Sequence, residues 1–117
     1  MTEMNRLKFR VWCVAERRML DWENFSLDIM YAILQPSPLF PVMSFTGLKE
    51  INGDDIYEHD IIRHKGQLYI IRWNNDVGGY IWEGHYKKDQ YYWPFDCDVA
   101  CECYVVGNMY ENPELIP

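Results

Sequence analysis

In RLKFRVWC (6–13) charged and apolar residues alternate, with Leu7, Phe9 and Val11 on one side and Arg6, Lys8 and Arg10 on the other. A period of two predicts a strand with one buried face. VAERR (14–18) reads as a reversal, after which RMLDW (18–22) pairs back as a hairpin. FSLDIMYAILQ (25–35) admits two readings. Ser26 could cap a short helix, but Ile29, Tyr31 and Ile33 alternate, and the alternation favours a strand. PSPLFP (36–41) reads as an extended connection, because proline lacks a backbone donor and disfavours helix in the residue before it.

VMSFTG (42–47) predicts a short strand ending at its glycine, and the Asn52-Gly53 pair marks a turn that tolerates positive φ. DIIRH (60–64), QLYIIRW (67–73) and YIWEGHY (80–86) then form a meander, punctuated by Lys65-Gly66 and NNDVGG (74–79). Residues 87–98 read as loop, and CECYVVG (101–107) as the strand that closes the sheet. YENPELI (110–116) reads as a one-turn helix with Asn112 at the N-cap and Pro113 at N1. A bent meander of short strands predicts a mostly β fold, a single domain over 1–117. It would have a strongly bent SH3-like sheet or barrel, with an N-terminal hairpin and extended arm.

Composition supports that picture. A chain of 117 residues, half of them hydrophobic, can bury one core without staples, and its 16% aromatic content suits pleated sheet. No apolar run is long enough to cross a bilayer, and MTEMNRLKFR lacks the apolar stretch of a signal peptide. The expected place is therefore the cytoplasm, with Cys13, Cys97, Cys101 and Cys103 as reduced thiols. Net charge is −7, distributed as +3, −7, +3 and −6 over residues 1–18, 19–62, 63–88 and 89–117. A net negative field opposes phosphate binding unless basic residues cluster in space.

The candidate chemistry reduces largely to structure. A calcium loop with Gly53 at its sixth position would need acidic ligands where Leu48 and His59 stand. Glu58 and Asp60 flank His59 and would share a strand face, as paired carboxylates for acid–base work do, yet two solvated edge groups would look the same. The spacing C-x3-C-x-C in CDVACEC gives half of a zinc site, with Cys101 and Cys103 on one strand face. His64 and His85 end strands and read as edge residues. Trp73, Trp82 and Trp93 crowd beside Arg63, Lys65, Arg72, Lys87 and Lys88. Such interleaving can stack nucleobases, supply protein-binding hot spots or simply fill a core.

Three blocks spanning nearly the whole chain resemble the YopX family of small phage and prophage proteins. They are RLKFRVWCVAERRML, FTGLKEINGDDIYEHDII and VVGNMYENPELI, in that order. His59 stands where the family pattern has glycine. The resemblance implies a β-rich fold and a phage or prophage origin, and it carries over no catalytic residue. The expected function is that of a non-enzymatic accessory protein acting by protein–protein binding, self-association included, without cofactor or metal. The alternative is a nucleic-acid-binding module using segment 63–93.

Overall fold

The computed structural model describes residues 8–22, 27–86 and 89–117. It divides into two compact units, Met1–Phe45 and Thr46–Pro117. In the first, β1 (Phe9–Cys13) and β2 (Arg18–Leu20) form the expected antiparallel hairpin, registered as Val11↔Leu20 and Cys13↔Arg18. Arg6 and Leu7 of the expected strand lie outside the described residues. The start of β3 (Val42–Lys49) pairs on the other side of β1, with Phe9 opposite Ser44 and Val11 opposite Val42. The proline-rich connection runs beside β1, where the Trp12 amide donates to Pro41 O at 3.0 Å and the Val14 amide to Leu39 O at 3.1 Å.

The strand expected over 25–35 is a helix, α1 (Leu27–Leu34), with Phe25 and Ser26 outside the described residues. The alternation of Ile29, Tyr31 and Ile33 misled because the segment also carries helical spacing. Ile29, Ala32 and Ile33 share one helix face and pack against Val11, Leu20, Phe40 and Val42. Leu27, Met30, Ala32 and Leu34 are strong helix formers, and Pro36 follows where a helix must end.

In the second unit β3 continues through Gly47 (φ 86°) to Lys49, beyond the glycine expected to end it. The chain reverses over 50–54 with Gly53 at φ 87°, its amide donating to Glu50 O at 2.8 Å, and returns as β4 (Asp55–Tyr57). β5 (Asp60–His64) and β6 (Gln67–Asn74) join through Lys65-Gly66, both at positive φ, a turn whose twist matches that of the strands. β7 (Gly79–Tyr86) follows, then a strand where loop was expected, β8 (Asp89–Pro94). Its aromatic residues suit a sheet, and as an edge strand it accommodates Pro94, which has no donor to offer. Next comes a short helix, α2 (Cys97–Ala100), whose N-cap Asp96 accepts from the Asp98 and Val99 amides. β9 is Tyr104–Asn108 and does not begin at Cys101 as expected. The antiparallel order is β8-β7-β6-β5-β9, with a register shift between Ile61 and Ile62. Such a bulge bends a strand, and the fold is mostly β with one sheet curled into a half-barrel. Ile56, Ile62, Tyr69, Ile71, Phe95, Ala100 and Cys103 form its core. A 3-10 turn, Pro113–Leu115, stands where the C-terminal helix was expected, with Asn112 at its N-cap position.

Candidate functional site

Around the Asn52-Gly53 turn, buried carboxylates are engaged by backbone amides. Glu50 is buried, and its carboxylate accepts from the Asn52 amide at 2.7 Å, the Asp54 amide at 3.3 Å and the Val105 amide at 3.2 Å. It therefore ties the turn to β9. Glu58 and Asp60 do not lie as neighbours on a strand. His59 between them takes φ 70°, the left-handed region that glycine occupies freely, and breaks the alternation. Asp60 is buried and accepts from the Tyr57 amide at 2.8 Å. His59 is held by the Tyr110 hydroxyl, 3.2 Å from Nδ1, and its own amide donates to Ile71 O at 2.7 Å.

The cysteines are not aligned on one strand. Cys97 and Cys101 are exposed, whereas Cys103 is fully buried and donates to Ala100 O at 3.3 Å. Burial, with Glu50 nearby, pushes the Cys103 thiol from 9.0 up to about 12, so it stays protonated at neutral pH. No group of three or more His, Cys, Asp and Glu is arranged to hold a metal among the described residues.

The aromatic-basic segment separates by face. Strand pairing places Ile71 opposite Trp82 and Trp82 opposite Trp93, so these tryptophans share a face with Tyr69 and Tyr91. Tyr69 lies 4.6 Å from Trp82 between ring centroids, Trp93 lies 5.4 Å from Trp82, and Tyr91 lies 4.8 Å from Trp93. Gly84 makes room, since a Cβ there would meet the Tyr69 ring at 2.9 Å. His64 is not an edge residue. It is buried on β5 between two partner strands, 5.0 Å from the Trp82 ring and 3.3 Å from Glu102. Trp73 meets Tyr80 edge to face at 5.1 Å on the same face, half exposed. Arg63 and Arg72 fall on the opposite face, because Arg72 and Trp73 are sequence neighbours in one strand. Arg72 pairs with the buried Glu83 at 3.2 Å. Lys65 sits in the β5–β6 turn, while Lys87 and Lys88 lie outside the described residues. Sheet alternation thus sends the tryptophans to one face and the two arginines to the other.

The first unit presents a different surface. On α1, Leu27 is 82% exposed, Leu34 72%, Tyr31 66% and Met30 43%. These positions, i, i+3, i+4 and i+7, form one stripe opposite the face that packs on β1. Beside it a cavity of about 520 Å³ opens, lined by Cys13, Leu20, Ala32 and Phe40, with Tyr31 shared between cavity and stripe. Glu16 and Arg18, ion-paired with each other, line it as well. Reading 25–35 as a strand hid this stripe, although its spacing is visible in the sequence.

A family model described as YopX protein matches residues 8–117. The chain belongs to the YopX family. Among solved structures, this YopX-family chain is similar to protein EF1440 from Enterococcus faecalis, with 22% identity and a TM-score of 0.53. The match covers 94% of this chain and 97% of that one, a likeness of fold. Comparison with curated proteins gives no match. No helix among the described residues is long and apolar enough to cross a membrane.

Proposed function

We propose that this YopX-family chain is a non-enzymatic phage or prophage accessory protein that works by binding other protein surfaces through α1. The exposed stripe of Leu27, Met30, Tyr31 and Leu34 carries this reading. Apart from Asp28, α1 is apolar throughout, and such a helix is ordinarily buried all round. Here one face is buried and the other meets water, at the cost that apolar exposure entails, and such rows are the anchors by which an amphipathic helix engages a partner. The neighbouring cavity has room for an apolar side chain of that partner.

The separation of Trp73, Trp82 and Trp93 from Arg63 and Arg72 supports this reading over nucleic-acid binding. A strand-tracking site needs stacking rings and phosphate-binding cations along one groove. The reading is tested by pull-down from host bacterial lysate, with and without nuclease, using the wild type and Leu34→Ser. The expected result is a protein partner that survives nuclease and is lost with Leu34→Ser. Capture abolished by nuclease, together with salt-sensitive oligonucleotide binding by the purified chain, would favour the alternative.

A further inference from the structure

We infer that the α1 stripe is covered by α1 of a second copy of this chain, the two helices antiparallel about a two-fold axis. The inference rests on the proposed function, naming the chain itself as a partner of that surface. Its first support is symmetry. A closed dimer requires a patch that is complementary to itself. In an antiparallel pairing centred between residues 30 and 31, Leu27 faces Leu34 of the second copy and Met30 faces Tyr31, so the four positions map onto one another. The second support is area. From their exposures, these four side chains leave on the order of 500 Å² open per copy, hence roughly 1,000 Å² in total, which reaches the lower bound of a specific interface. The third is charge. None of the four carries one, so pairing these positions buries no ion, although residues 19–62 as a whole carry −7.

The register gives the test its discrimination. Light scattering coupled to size exclusion, over a concentration series of the full chain, reads the particle mass. Leu34→Glu should halve that mass relative to the wild type, since two carboxylates would then be buried against Leu27 of the opposite copy. Leu27→Lys should do the same. The double variant Leu27→Lys/Leu34→Glu places opposite charges together at both ends and should restore the wild-type mass, at least tenfold more stably against dilution than either single variant. That restoration also shows that the variants fold, with an unchanged far-ultraviolet circular dichroism spectrum as a second control. A wild-type particle of single-chain mass at every concentration overturns the inference, as does an assembly unaffected by Leu34→Glu. A single-chain particle that still captures a partner through Leu34 would overturn the pairing and leave the proposed function standing. Loss of both would overturn both.

Discussion

Gly53 stands at φ 87° with open space where a Cβ would project, so its conformation constrains the position and its surroundings do not. A β-branched side chain in that region clashes with its own backbone. Gly53→Val should therefore lower stability by about 1–2 kcal/mol, read as a lower midpoint in urea with an unchanged slope. Asn52-Gly53 was legible as a turn because its requirement is local. His59 was not, because imidazole gives no sequence signal for φ 70°. Its conformation is held by the Ile71 and Tyr110 contacts from distant strands and the C-terminal segment.

At the scale of elements, β7 shows how one missing side chain organises a face. Tyr69 and Tyr91 flank the space above Gly84, with a Cβ there lying 2.9 Å from the first ring and 3.2 Å from the second. Gly84→Ala should displace Tyr69 from Trp82 and cost about 1–3 kcal/mol, the usual penalty for overpacking. A shift in tryptophan fluorescence at unchanged far-ultraviolet dichroism would locate the disturbance in the aromatic cluster. An unaltered melt and fluorescence would mean the rings do not cover this glycine. Helix α1 teaches the opposite lesson. Its residues satisfy two periodicities at once, and packing of Ile29 and Ala32 on Val11 selected the helical one. Strand β8 escaped notice although its partner β7 directly precedes it, because the Lys87-Lys88 junction carries none of the glycine, asparagine or proline that marks a hairpin turn in sequence.

At the scale of the whole molecule, the buried Cys103 thiol links protonation to folding. Its folded value of about 12 lies above the unfolded one, so the folded state holds the proton more tightly. The stabilisation is complete below about pH 9 and is lost as pH rises towards 12, because the unfolded chain releases the proton first. The wild type should therefore lose stability progressively over that alkaline range, and Cys103→Ala should flatten this part of the curve while lowering stability at neutral pH through the cavity it leaves. Denaturant melts between pH 7 and pH 10 measure both. An identical alkaline slope in the variant would remove Cys103 as the cause.

The sequence by itself determined the mostly β class, the YopX resemblance, the first hairpin, the central meander and the turns at Gly53 and Lys65-Gly66. Each of these depends on neighbours a few residues apart, through side-chain alternation and the φ that a turn residue tolerates. Tertiary structure decided the rest. It resolved residues 27–34 into a helix by giving one face a core to pack on, and so left Leu27, Met30, Tyr31 and Leu34 exposed together. It parted the tryptophans from Arg63 and Arg72, since adjacency in a strand becomes separation across a sheet. It also made Glu50, Asp60 and His64 internal supports, where the sequence offered Asp60 as half of a carboxylate pair and His64 as an edge residue, because burial obliges a polar group to find a partner, and for Glu50 and His64 that partner comes from chain segments far away in sequence.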